Sequence, residues 1–232
     1  MSTLSDQEQL DGLKSFAQKY GSAVLSGVLI ALIAYFGWSY WQKKNLAEAQ
    51  VATAKVQQLM DEAAAAQGKD AFLNLSKTAD AIVKEAPDSV QAVQTQLLMA
   101  KLAYDQNDYV AAEKALQKVA SSSLDDQGLM TLLKIRLADA QAAQKKYDEA
   151  LKTLSPLNEA SFKAVIEEAR GDIFVAKNDR TNAQKAYQAA WDDLVAHQQE
   201  RQILQIKLES VGVLVDDPDI ERPVLQTQVD ES

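Results

Sequence analysis

From Asn45 onward apolar residues return every three or four positions, as at Val51, Ala54 and Leu59 and again at Phe72, Leu75, Ala79, Ile82 and Val83. That is the period of helices with one apolar face. Upstream the pattern is different: Gly21–Trp41 reads GSAVLSGVLIALIAYFGWSYW, twenty-one residues without a charge. As a helix this run spans roughly 30 Å, one hydrocarbon thickness, so it predicts a single membrane crossing. Lys14 and Lys19 flank one end and Lys43 and Lys44 the other, while Trp38, Tyr40 and Trp41 mark a boundary where amphipathic rings settle among head groups. Ala47-Glu48-Ala49 has the form of a cleavage site. However, the apolar run exceeds a signal-peptide core and Lys43-Lys44 intervene, so an uncleaved anchor is expected. The two flanks differ little in Lys and Arg, which leaves orientation open.

Self-similarity downstream is more informative than any single helical period. Three segments align: Asn107-Asp108-Tyr109-Val110-Ala111-Ala112, Lys145-Lys146-Tyr147-Asp148-Glu149-Ala150 and Asn178-Asp179-Arg180-Thr181-Asn182-Ala183. Each reads as a polar turn opening the second helix of an antiparallel pair, a tetratricopeptide-like arrangement in which small residues let two helices approach. Ala100, Ala138 and Gly171 take the small position of the first helix, and Ala112, Ala150 and Ala183 that of the second. Leu116, Leu154 and Tyr187 take the large position one turn later. Pro87 and Pro156 fall where pairs end. A degenerate pair is predicted over 45–86 and a capping helix near His197–Val215. The predicted fold class is all-α: an N-terminal transmembrane helix followed by a tetratricopeptide-like helical-pair solenoid with a C-terminal capping helix. Its expected parts are a short N-terminal segment 1–20, an anchor 21–41, a repeat domain 42–215 and an acidic, disordered tail 216–232.

Composition sharpens this reading. Alanine fills 37 positions, and after residue 44 only four Gly and four Pro interrupt, as suits a helical chain. The absence of Cys excludes disulfide and zinc-thiolate scaffolds. A net charge of −9 and a pI near 4.7 argue against a nucleic-acid partner, which would require a Lys/Arg surplus. Catalytic chemistry is not signalled. The single histidine, His197, sits among Gln198, Gln199, Glu200 and Arg201, and there is no HExxH, Gly-rich phosphate loop or GxSxG. The acid pairs Glu167-Glu168 and Asp192-Asp193 point to different helix faces. No enzyme activity, cofactor or metal is expected.

The aromatic end Gly37-Trp38-Ser39-Tyr40-Trp41 followed by degenerate repeats resembles the YfgM family of ancillary subunits of the bacterial SecYEG translocon. Ala169-Arg170-Gly171-Asp172, the Asn178-Asp179 turn with Ala183 and Ala186, and Leu204-Gln205-Ile206-Lys207-Leu208 extend the resemblance over roughly residues 10–212. It implies a cytoplasmic N-terminus, a periplasmic repeat domain at the inner membrane, and association with SecYEG, with a PpiD-like periplasmic chaperone and with exported unfolded proteins. Membrane lipid would surround the anchor. The residues alone leave an alternative open, a cytosol-facing membrane-anchored repeat adaptor in signalling or regulation.

Projecting the repeat phase places Leu97, Lys101 and Tyr104, then Leu132, Ile135 and Asp139, then Val165, Glu168 and Asp172 on an inner face formed by the first helix of each pair. Apolar side chains there would supply buried area, and charged ones would discriminate between partners. One Lys beside three acids does not suit capture of a carboxylate. Glu113 and Lys152 are expected to face outward.

Overall fold

The computed structural model describes residues 30–44, 50–65, 69–199 and 201–215. The N-terminal segment 1–20, residues 21–29 of the expected membrane crossing and the tail 216–232 lie outside the described residues. Among those described, no helix is long and apolar enough to cross a membrane. All regular structure among them is helical. The chain divides into two compact units, residues 1–55 and 56–232.

In the first unit residues 30–44 form helix α1. Its apolar side chains stand exposed, among them Ile30, Ile33, Phe36 and the boundary residues Trp38, Tyr40 and Trp41. The Trp38 and Trp41 rings lie 5.4 Å apart. Residues 50–65 form α2, which enters the second unit at Val56.

The second unit continues with α3 (Lys69–Glu85), α4 (Val90–Asp105), α5 (Tyr109–Gln117), α6 (Gln127–Ala143), α7 (Tyr147–Leu154), α8 (Lys163–Ala176), α9 (Arg180–Ala196) and α10 (Gln202–Ser210). The three aligned motifs are the turns of α4–α5, α6–α7 and α8–α9, and all three are built alike. Asn107, Lys145 and Asn178 adopt left-handed backbone at φ 60°, 63° and 62°. In each turn the next amide, of Asp108, Lys146 or Asp179, reaches back to the carbonyl of Ala103, Gln141 or Phe174 at 2.8–3.0 Å. This closes the outgoing helix in a Schellman motif. In two of the turns the same residue then caps the following helix, the Asp108 carboxylate accepting from the Ala111 amide at 2.9 Å and Asp179 from Asn182 at 3.2 Å.

Lys146 makes no such cap, and Lys145 is the least suited of the three residues to a positive φ. Left-handed backbone costs an ordinary L-residue roughly 1–2 kcal/mol. Lys145→Gly is therefore expected to raise stability by about 1 kcal/mol, read as an increase in melting temperature of the full chain. An unchanged or lower melting temperature would contradict this account of the turn.

The core runs as three successive clusters rather than one centre. The first joins α2 to α6 through Leu59, Leu75, Val93, Leu116 and Leu133, the second joins α6, α7 and α8, and the third joins α8, α9 and α10. Ala112, Ala150 and Ala183 are buried, as are Ala100 and Ala138 opposite them, so backbones approach closely where the repeat phase places small residues. In the third pair the small residue is Gly171 and the large one Tyr187. Helix α10 closes the stack by burying Leu204 and Leu208. It is tied to α9 by the Val211 carbonyl, which accepts from Arg180 Nε at 2.6 Å and Gln184 Nε2 at 2.7 Å.

Candidate functional site

Helices α4 and α6, the first members of two successive pairs, lie side by side and enclose a cleft of about 460 Å³. Five of the nine residues expected on the inner face line it: Leu97, Lys101, Tyr104, Leu132 and Asp139. Arg136 and Leu116, neither expected on that face, line it as well, together with Ala100, Asp105, Ala112 and Ala140. Arg136 follows Leu132 by one helical turn and so shares its face, a spacing that could have identified it.

Ile135 does not reach this surface. It is 3% exposed and packs with Ala138, Ala150, Leu154 and Ile166. Helix α6 is contacted by α4, α5, α7 and α8, so only the narrow arc through Leu132, Arg136 and Asp139 remains for the inner face. Val165, Glu168 and Asp172 lie on α8 outside the cleft lining, with Val165 exposed. Glu168 and Asp172 are joined by Lys207 of α10, whose Nζ lies 2.6 Å from the first and 2.8 Å from the second.

The bases on this face are engaged with acids. Lys101 Nζ is 2.5 Å from Asp105, and Arg136 Nη1 is 3.1 Å from Asp139. Burial pushes the Asp139 carboxyl above its ordinary range; Arg136 opposes this and the neighbouring Asp172 adds to it. Burial and the Asp139 carboxylate likewise push the Tyr104 phenol up. For Lys207 burial favours the neutral amine, but the hydrogen bonds to Asp172 and Glu168 prevail and raise it. The Tyr104 ring meets Tyr109 nearly edge to face at 4.9 Å.

Glu113 does not face outward. It is 5% exposed and links two repeats. Its carboxylate accepts from Lys146 Nζ at 2.7 Å, Gln144 Nε2 at 2.8 Å, Gln117 Nε2 at 3.0 Å and Gln141 Nε2 at 3.4 Å. Burial alone would raise its carboxyl, but the bonds from Lys146, Gln144 and Gln141 hold it below the usual carboxylate range. Lys152 is exposed, and His197 is exposed with Nδ1 2.8 Å from the Asp193 carbonyl.

The repeat geometry agrees with the family comparison. The model of the tetratricopeptide repeat-like domain family matches residues 14–213. The chain belongs to this family. Similar proteins include one from Neisseria gonorrhoeae, 28% identical over 208 residues, covering 90% of this chain and 98% of the relative. One from Aggregatibacter actinomycetemcomitans is 28% identical over 214 residues, 90% and 98% of the two chains. One from Escherichia coli is 26% identical over 185 residues, 80% and 86% of the two chains. Each is named an ancillary SecYEG translocon subunit, the group that the residues of this tetratricopeptide repeat-like chain resemble. No solved structure matches it.

The segments that carry the resemblance have structural roles in this repeat-family domain. Ala169 is buried, Arg170 Nη2 donates to the Leu154 carbonyl at the end of α7, Gly171 faces the Tyr187 ring, and Asp172 accepts from the Tyr187 hydroxyl at 2.7 Å.

Proposed function

We propose that this tetratricopeptide repeat-like protein is a membrane-anchored scaffold at the Sec translocon, non-enzymatic, with its N-terminus in the cytoplasm and its repeat domain in the periplasm. There it binds a PpiD-like chaperone, newly exported proteins or both through the inner face of the stack. The cleft between α4 and α6 is the observation that carries this reading, because it offers apolar area and charge together on neighbouring helices. The names of the relatives support the translocon as the setting. The charge-free run Gly21–Trp41 and its Lys flanks support a retained anchor. One anchor would hold the cleft near the channel at high effective concentration.

Two measurements test this. Protease added to spheroplasts is expected to digest the repeat domain of an otherwise full-length chain, and inverted vesicles to protect it. The opposite pattern would make the protein a cytosolic adaptor. Photocrosslinkers at Leu97 and Tyr104 are expected to capture translocon, chaperone or exported protein more efficiently than one at the exposed Lys152. Equal yields would remove the inner face from the mechanism.

A further inference from the structure

If the cleft receives a partner segment, as proposed above, its chemistry defines the kind of segment. Leu97, Leu116 and Leu132 give it an apolar wall, while Tyr104, Arg136 and Asp139 give it a polar one. On the α4, α6, α8 and α10 residues of this face, three cations, Lys101, Arg136 and Lys207, stand against four carboxylates, Asp105, Asp139, Glu168 and Asp172, and each cation already holds at least one of them. The remainder of three positive and four negative groups is one negative charge. That excess lies where Glu168 and Asp172 share Lys207, and Asp172 extends it to Asp139, whose ion pairing among the described residues is a single bond from Arg136, with a side chain 59% exposed. Near it in the lining stands the Tyr104 ring, which packs against Tyr109. A carboxylate next to an aromatic face is the pairing that holds a guanidinium or ammonium group. An incoming acid would meet Asp105 and Asp139 in the cleft, with Lys101 and Arg136 already engaged, and Glu168 and Asp172 on the adjoining helix α8.

We infer that the cleft binds an extended protein segment in which an apolar side chain neighbours a basic one, the apolar group seated between Leu97 and Leu132 over the buried Leu116 and the cation held by Tyr104 and Asp139. Asp139 and Tyr104 then determine selectivity, and the leucines supply contact area common to many sequences.

The test uses the full chain in nanodiscs of zwitterionic lipid, with empty nanodiscs subtracted. Dye-labelled peptides of about twelve residues are titrated by fluorescence anisotropy. One repeats Leu beside Arg, one has Glu for every Arg, and one has Ser for every Leu. The Leu–Arg peptide is expected to bind about tenfold tighter than either control and to weaken as salt is raised. Asp139→Asn is expected to weaken the Leu–Arg peptide about tenfold while leaving the Leu–Glu peptide no weaker. Equal affinity for the Arg and Glu peptides on the unaltered protein overturns the basic-segment inference whatever the variant does. An Asp139→Asn chain that melts normally and binds the Leu–Arg peptide undiminished also overturns it. In both cases the cleft reading survives if Leu132→Glu abolishes peptide binding. Binding that ignores Leu132→Glu, or no binding by any peptide, overturns the cleft itself and with it the support for the proposed function.

Discussion

Replacing Gly171 with Ala is expected to destabilise the repeat domain by about 2 kcal/mol, and Tyr187→Leu in the same chain to remove that cost. A Cβ at position 171 would lie 2.2 Å from Tyr187 Cε1 and 2.3 Å from Cδ1. The ring cannot yield easily, because it is 2% exposed and its hydroxyl is bonded to Asp172 at 2.7 Å. Overpacking of this kind costs about 3 kcal/mol at the upper end of its range, and the better helix propensity of Ala returns about 1. The other pairs meet the same requirement with Ala100 and Leu116, and with Ala138 and Leu154. With Leu at 187 the third pair would match them, and the Gly171→Ala substitution would show its propensity gain. The coupling between the two substitutions should therefore approach about 3 kcal/mol. Melting curves of the four chains measure it, and additive effects would mean the two side chains do not compete for space.

Glu113→Ala should destabilise the domain by about 3 kcal/mol, since it removes a buried carboxylate that accepts from two neighbouring segments and leaves Gln141 and Gln144 without that acceptor. Glu113→Gln keeps the shape and loses the charge, so it also reports on pH. The folded Glu113 carboxyl is held below its unfolded value near 4.5. A depressed carboxyl gives stability that is fully present above the unfolded value and is lost as pH falls through the folded one. The difference in melting temperature between the natural chain and Glu113→Gln should thus be constant around neutrality and shrink below about pH 4.5. A gap that persists unchanged at pH 3 would assign the effect to shape rather than charge.

The contrast between these two sites shows what the sequence makes legible. The Asn107, Lys145 and Asn178 turns and the alanines after them recur in order because one backbone solution is used three times, and a repeated solution leaves a repeated spelling. Gly171 and Tyr187 are readable as a small and a large position, yet only the folded pair reveals that each requires the other. Glu113 is not readable in that way. Helix α5 packs against α4 on one side and α6 on the other, so its buried arc is wider than one apolar face, and a charged residue enters it because the next repeat's turn supplies Lys146 and Gln144. Ile135 departs from expectation for a related reason, its side chain being claimed by α7 and α8. The cleft was partly legible because Leu97, Lys101 and Tyr104, and likewise Leu132 and Asp139, follow helical spacing within a repeat. The role of Lys207 was not, because it depends on where α10 folds back.

That fold-back also bears on the order of assembly. Every extensive helix contact in the second unit joins helices no more than two apart in the chain, so structure can grow in the direction of synthesis, each pair settling on a surface already formed. Contacts of this short range close quickly and need no distant segment to be present. Lys207 is among the last groups to arrive, reaching back 39 residues to Glu168 and 35 to Asp172. Until it does, α8 carries two carboxylates without that counter-charge, and the growing end of the stack presents negative charge where its cap will settle.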